Sequence, residues 1–431
     1  MRAADGVDLV SIRIDEKLAG LTPTDPECCI FRVCTQLRNI NEKAYEPELL
    51  AIGPYHRGKD ELKQMEDHKL RYLKLLLQRR NESSVKRYIK AMRELEGRGR
   101  RFYAETINLT TDEFVEMLLL DACFIIELFR KFEKMDQIHD ECDPIFRLNW
   151  MLPSLWRDVL LFENQLPFFV LTKLYEMTAV PNQHDNLIDL AMSFLEDSLL
   201  PCGRRICESS HESLQNIGHL LALLHIYFTQ PYVEIGTGRN VVGAKKWNSI
   251  PSATELQEAG VKFKKLETGG FLDIKFNNGV MEIPLLKVVD ETESMFRNLV
   301  AYEQYSTNNN PKYFTEYMKF MDYLINSPKD VELLRRRGII ENLLGDDEAV
   351  STMFNKFGDG VVAVPDLCYA QIFKDVNKHC CRRRNVWMAK LRHNYFNSPW
   401  ALISVLAAVF LLLLALTQTI FSVLSYIVSK K

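Results

Sequence analysis

Asp121 and Glu163 are the two side chains in this sequence best placed for acid–base chemistry. Each is a carboxylate set in a long apolar run, FVEMLLLDACFIIELFRK and WRDVLLFENQLPFFVLTKLYEM. Burial raises a carboxyl pKa, and a carboxyl tuned in that way can serve as a general acid or base. The same setting also suits a structural group, because buried carboxylates are more often paired with a cation or hydrogen-bonded to backbone N–H groups. Other groupings fall short of a site. His219 and His225 are six apart and lie on different helical faces, whereas paired metal ligands on one face want a spacing of roughly three or four. His211 does not complete a set with them. Gly236-Thr237-Gly238-Arg239 lacks both the third glycine of a dinucleotide loop and the GK[ST] of a phosphate loop, so it reads as a connector. Gly345-Asp346-Asp347-Glu348 lacks the alternating carboxylates of a calcium loop, and reads as one helix ending and the next being capped. No catalytic, cofactor-binding or metal-binding residue is assigned.

Helices must position the two carboxylates. Thr110-Thr111-Asp112-Glu113 has the spacing of a capping box. The run that follows is apolar nearly all round but is interrupted by Glu116, Asp121 and Glu127, which predicts the central helix of a soluble core. In the second run, Pro167 follows the polar island Glu163-Asn164-Gln165 and predicts a kink or break there. The island is expected to lock core helices together, with a ligand site at the kink as the alternative. Upstream, Gly53-Pro54 marks a turn, and from about Glu61 the residues Leu62, Met65, Tyr72, Leu73 and Leu76 recur at helical spacing. The Lys- and Arg-rich stretch from Lys69 to Arg101 reads as a solvated face of two helices rather than a lipid-binding patch.

Further on, Ser252 and Glu255 predict a capped helix that Gly260 ends. Val261 and Phe263, then Leu272, Ile274 and Phe276, then Met281, Ile283 and Leu285 alternate as half-buried strands do, and Asn277-Asn278-Gly279 supplies a turn. A helix from about Thr292 presents Met295, Leu299 and Tyr302. The fold class is therefore mainly α: a multi-helix globular body with a small antiparallel β-sheet over about 261–288.

The composition, 47% hydrophobic and 26% charged over 431 residues, fits a globular chain. A net charge of −3 gives no strong field towards nucleic acid. The opening MRAADGVDLVSIRIDEKLAGL carries Asp5, Asp8, Asp15 and Glu16 and is not a signal peptide. Ten cysteines include no CxxC pair, and the vicinal pairs Cys28/Cys29 and Cys380/Cys381 rarely bridge, so reduced thiols facing the cytosol are expected. Acylation of Cys380/Cys381 is the alternative to ordinary thiols there.

The clearest functional statement lies at the end of the chain. Trp400 to Val428 carries no charge, and roughly 20 apolar residues suffice to span a bilayer. Trp400, Leu411, Leu414 and Val428 are assigned to a membrane anchor, with the bilayer as partner through residues 400–428. Arg382, Arg383, Arg384, Lys390 and Arg392 precede the anchor and only Lys430 and Lys431 follow, which places the body in the cytosol and predicts a tail anchor. Tyr395, Phe396, Trp400 and Tyr426 are placed like interfacial aromatics. The formal sequons at Asn81 and Asn108 matter only if the body is lumenal. Thr417-Gln418-Thr419 is the polar notch of the helix, fitting either pairing into a homo-oligomer or a place near one bilayer surface. The expected domains are a loose leader over 1–25, a mostly helical body over 26–393, and a juxtamembrane segment with anchor over 394–431.

Several blocks resemble a known family. AYEPELLAIGPYHRG followed by MEDHKLRYL, LLLDACFIIELF, ENQLPFFVL, RNLVAYEQ, LGDDEAVSTMFNKFG and the C-terminal segment from Tyr395 are similar to the plant family called domain of unknown function 247, or UPF0481. The resemblance runs from Cys28 to Ser425. Ala122 stands where the family commonly has Gly, and Arg32-Val33-Cys34 where it usually reads RVP, so the local turn is free to differ. The resemblance implies a plant membrane protein of undefined biochemistry, and the association of some members with self-incompatibility loci in grasses implies recognition. The resulting expectation is a membrane-tethered, non-catalytic recognition or signalling module with an unidentified protein partner, in the plasma membrane or an endomembrane. The alternatives are an enzyme of unfamiliar type using Asp121 or Glu163, and a passive scaffold.

Overall fold

The computed structural model describes residues 8–19, 26–135, 143–179, 186–197, 217–236, 249–306, 312–361, 368–382 and 399–429. The chain divides into two compact units. The first comprises Met1–Leu199, Ile206–Tyr227 and Glu293–Asn308; the second comprises Leu200–Arg205, Phe228–Thr292 and Asn309–Lys431.

In the first unit, six helices carry the argument: α1 (Gln64–Arg79), α2 (Lys86–Arg101), α3 (Thr111–Glu133), α4 (Met151–Val159), α5 (Phe168–Thr178) and α6 (Leu187–Asp197). The predicted capping box starts α3: Glu113 N–H donates to the Thr110 hydroxyl at 3.3 Å, and Thr110 N–H donates to the Glu113 carboxylate at 2.8 Å. Sixteen of the 23 residues of α3 are buried, because α1, α2, α5 and α6 all pack on it. Phe114, Leu118, Phe124, Ile125, Leu128 and Phe129 are fully buried, and each such side chain stabilises the unit by about 1.5–3 kcal/mol. The second apolar run is not one helix. Pro167, at φ −56° and ψ 127°, stands directly before α5, where its missing N–H costs nothing, and residues 160–167 separate α4 from α5. Cys34 takes φ −61°, the value a proline would fix, so the turn is kept without one.

The second unit holds the strands. β1 (Lys262–Leu266), β2 (Lys275–Asn277) and β3 (Val280–Pro284) form one sheet, and β4 (Leu286–Val288) pairs in parallel with β5 (Ile340–Asn342). Asn278 and Gly279 both take positive φ, 51° and 79°, which closes the β2–β3 hairpin antiparallel as the sequence predicts. β1 instead joins the other edge of β3 in parallel, so the sheet is mixed. The connection from β1 to β3 contains β2 and is long enough to bring the chain back to the same end of the sheet. Gly260, at φ 90°, follows the helix Ala253–Glu258, and Asp346 caps the helix Asp347–Asn355 by accepting from Glu348 N–H at 2.9 Å. The Asp330 carboxylate ties two helix starts together, accepting from Thr254 N–H at 2.8 Å and Ser327 N–H at 2.9 Å. The last element is the helix Pro399–Ser429, within which Leu406–Ile427 has a mean hydropathy of 2.3 and no buried residues.

Candidate functional site: buried carboxylates and the C-terminal helix

Asp121 serves one irregular segment of the first unit, Glu46–His56, and Glu163 lies beside that segment, bonded to Val33 N–H and Arg38. A buried irregular backbone must find hydrogen-bond partners outside regular structure, and here polar side chains from apolar surroundings supply them. From α4, the Asp158 carboxylate accepts from the N–H groups of Glu48 at 3.0 Å, Leu49 at 2.7 Å and Leu50 at 2.8 Å. Asn164 accepts from Ile52 N–H at 2.7 Å and donates to the Leu50 carbonyl at 2.8 Å. Asp121 accepts from Gly53 N–H at 2.9 Å. Lys69, 1% exposed, donates to the Ala51 carbonyl at 2.7 Å and to Asp121 at 2.6 Å. Gly53 has φ 69°, and a Cβ there would stand 2.6 Å from the Gln165 carbonyl oxygen, so neither the conformation nor the space suits a side chain. Burial pushes the Asp121 carboxyl up, against the pull of Lys69. It pushes Asp158 up to about 6, against the N–H donors and Arg157.

Glu163 belongs to a closed ring of charged groups. Its Oε1 accepts from Val33 N–H at 2.6 Å, and its Oε2 accepts from Arg38 at 2.7 Å. Arg38 also donates to Glu46 at 2.5 Å, and Lys59 pairs with the same carboxylate. His56 completes the ring, with Nδ1 3.4 Å from Glu46 and Nε2 3.6 Å from Glu163. Its imidazole is fully buried and neither nitrogen makes a hydrogen bond. Burial lowers the His56 pKa to about 3, and the charge on Lys59 adds to that, so the imidazole is neutral at pH 7. Against the effect of burial, hydrogen bonds from Lys59 and Arg38 hold Glu46 below its usual range.

The depressed His56 pKa has a signed consequence. An unfolded histidine takes up a proton near pH 6.5 while the folded one waits until about 3, so the unfolded state binds more protons between those values. The stability contributed by neutral His56 is present above pH 6.5 and is lost as pH falls. Between pH 7 and 5 the parent chain should lose about 2 kcal/mol more than His56→Gln. Proteolytic unfolding curves of the full chain in mild detergent across that range would measure this; parallel pH profiles for the two proteins would refute a buried neutral His56.

The arrangement brings both predicted carboxylates to one segment and gives them different partners, so the polar lock expected at Glu163-Asn164-Gln165 is what the geometry shows. Sequence reading missed Lys69, Asp158, His56 and Arg38. Lys69 had a visible signal: it shares a helix face with Met65, Tyr72, Leu73 and Leu76, all buried. His219 is fully buried, with Nδ1 accepting from Ala222 N–H at 3.2 Å, whereas His225 pairs with Glu303 at 2.8 Å. Among the described residues, no group of three or more His, Cys, Asp or Glu is arranged to hold a metal ion. His211 and Thr237-Gly238-Arg239 lie outside the described residues. The basic residues of α2 are largely paired with acids: Arg93 with Asp112 at 2.8 Å, Arg98 with Glu27 at 2.6 Å and Arg100 with Glu96 at 2.5 Å.

In the C-terminal helix, which includes Trp400 and Val428, Leu411 is 65% exposed and Leu414 50%. Within it, Leu406–Ile427 is long and apolar enough to cross a membrane. The Thr417 hydroxyl bonds to the Leu413 and Leu414 carbonyls, and that of Thr419 to Ala415. Cys380 is half-buried and Cys381 exposed. Arg383, Arg384, Lys390, Arg392, Tyr395, Phe396, Lys430 and Lys431 lie outside the described residues.

Comparison with known proteins agrees with the resemblance read from the sequence. The family model DUF247, described as a plant protein of unknown function, matches residues 30–414. A UPF0481 protein of Arabidopsis thaliana is 34% identical, covering 94% of this chain and 88% of the relative. A second Arabidopsis UPF0481 protein is 24% identical, covering 90% of this chain and 89% of its own length. No solved structure matches the chain.

Proposed function

The chain belongs to the DUF247 family of plant proteins, and from that premise we propose that it is a membrane-tethered, non-catalytic recognition protein with its body in the cytosol. The observation that carries the reading is the C-terminal helix: 22 consecutive residues, Leu406–Ile427, are apolar on average and wholly unburied. At about 1.5 Å per residue they span the roughly 30 Å hydrocarbon layer. The orientation rests on the basic residues ahead of the helix, since Lys and Arg concentrate on the cytoplasmic side. The non-catalytic part is supported by the use of Asp121 and Glu163, whose oxygens are taken by backbone N–H groups and by Lys69 and Arg38. Recognition is then the task left to the surface of the body.

Sealed microsomes from plant cells expressing the full chain with an N-terminal tag test this reading. The tag should be lost to added protease without detergent, and the helix should stay with the membrane after an alkaline wash. A protected tag, or glycosylation at Asn81 or Asn108, would overturn the cytosolic orientation. Release by the wash would overturn the tether. Proximity labelling from the same tag should return a reproducible set of neighbouring proteins; labelling no richer than that of a tag on a bare anchor would overturn recognition.

A further inference from the structure

We propose that the second unit turns a cationic face to the anionic headgroups of the bilayer that tethers the chain, through Lys262, Lys264 and Lys275 of the sheet and Lys374, Lys378 and Arg382 at the helix Ala370–Cys380. This rests on the membrane reading above. The strand register sets Lys264, Glu282 and Lys275 side by side, with Lys262, Val280 and Asn277 in the next row of the same sheet face. Phe263, Met281 and Ile283 take the alternate positions and are buried, whereas the three lysines are exposed. In the helix Ala370–Cys380, Phe373 and Val376 are buried, while Lys374 and Lys378, one turn apart, are exposed. Arg382 follows one turn later and is exposed too, its N–H donating to the His379 carbonyl at 3.2 Å. This helix packs on β2, an edge strand of the sheet, with the His379 and Phe276 ring centroids 5.8 Å apart. The two sets of cations therefore flank one junction of the second unit.

These cations differ from those of α2 in having almost no acidic partners. Arg93, Arg98 and Arg100 of α2 are each closed by a carboxylate. On the proposed face Lys264 reaches Glu282 at 3.8 Å, and among the described residues the other five pair with no carboxylate. The acids within the two rows are Glu282 and Asp375, both half-buried, and Asp375 accepts from Gln371 at 2.9 Å. Six positive charges thus stand against two negative ones. Each Lys or Arg held near an anionic leaflet favours that placement by about a fivefold factor. The tether supplies the proximity. Sixteen residues, beginning with Arg383 and Arg384, lie between Arg382 and Pro399, and they reach about 55 Å at most. The cytoplasmic leaflet is the one rich in anionic lipid, and the proposed orientation puts the body on that side.

Lysine acylation of the full chain in nanodiscs tests the docking. A water-soluble amine reagent is applied to the chain in phosphatidylcholine alone or mixed with phosphatidylserine, and each modified lysine is read by mass spectrometry. Phosphatidylserine should slow acylation of Lys262, Lys264, Lys275, Lys374 and Lys378 about three- to tenfold, and high salt should restore it. Lys74 and Lys90, exposed on α1 and α2, should react alike in both lipids. Lys374→Gln/Lys378→Gln should bring the three sheet lysines back to within about twofold of their rate in phosphatidylcholine. Unchanged rates at the five lysines, or equal slowing at Lys74 and Lys90, would overturn the docking while leaving the tether intact. So would protection of the same lysines by inorganic phosphate in phosphatidylcholine nanodiscs, which would mark a site for small anions instead. A chain that fails to enter the nanodiscs would overturn the tether and the docking with it.

Discussion

Lys69→Met should destabilise the first unit by about 3–5 kcal/mol. The ammonium group is almost wholly buried and holds three partners at once: Asp121 and Glu66, both at 2.6 Å, and the Ala51 carbonyl at 2.7 Å. Removing it leaves the Asp121 carboxylate in an apolar helix with Gly53 N–H as its remaining donor. The cost lies mainly in that abandoned charge, so neutralising the partner should recover much of it. Lys69→Met/Asp121→Asn keeps an oxygen for Gly53 N–H and buries no charge, and should regain about half or more of the loss, a coupling of roughly 1–3 kcal/mol. Pulse proteolysis of the full chain in mild detergent, with urea as denaturant, gives all four corners of the cycle. A single-variant loss below about 1 kcal/mol, or a double variant as poor as the sum of the singles, would show that the pair does not hold the Glu46–His56 segment.

The residues that were legible in the sequence are those whose signal is local. The Thr110 capping box, the Asn278-Gly279 hairpin, the break at Pro167 and the burial stripe of α1 depend on neighbours a few positions away, and each is where the pattern puts it. The division of the second apolar run was harder, because the run carries the same apolar content on both sides of the break. The parallel placement of β1 was not legible: alternation says which face of a strand is buried, and nothing about the direction of the strand beside it. The site shows the same limit. Asp121, Glu163 and Asn164 stood out as polar residues in apolar runs, but the partners that tie them to other segments lie 52 to 131 positions away. Nothing local in EPELLAIGPYHRG announces that its N–H groups are read by carboxylates from two different helices. His56 shows this most sharply: its neighbours Glu46 and Glu163 are brought round it by the fold alone.

The C-terminal helix makes the other large prediction. Leu414→Arg/Leu416→Arg should convert a chain retained by washed membranes into one mostly released from them. Each arginine near the centre of a span costs about 2.5–3.5 kcal/mol, and each leucine removed forfeits roughly 0.5 kcal/mol more, so the pair costs about 6–8 kcal/mol. A 22-residue span in which most residues contribute about 0.3–0.6 kcal/mol has little more than that to lose. Both positions are exposed, at 50% and 59%, so the substitutions test anchoring without removing a buried side chain. Leu414→Ile/Leu416→Ile, which keeps the apolar area, should remain with the membrane like the parent. Unchanged protease resistance of the body would show that release comes from the helix and not from unfolding. Full retention of the double arginine variant after an alkaline wash would mean that another part of the chain holds it to the membrane, and the tether would have to be sought there.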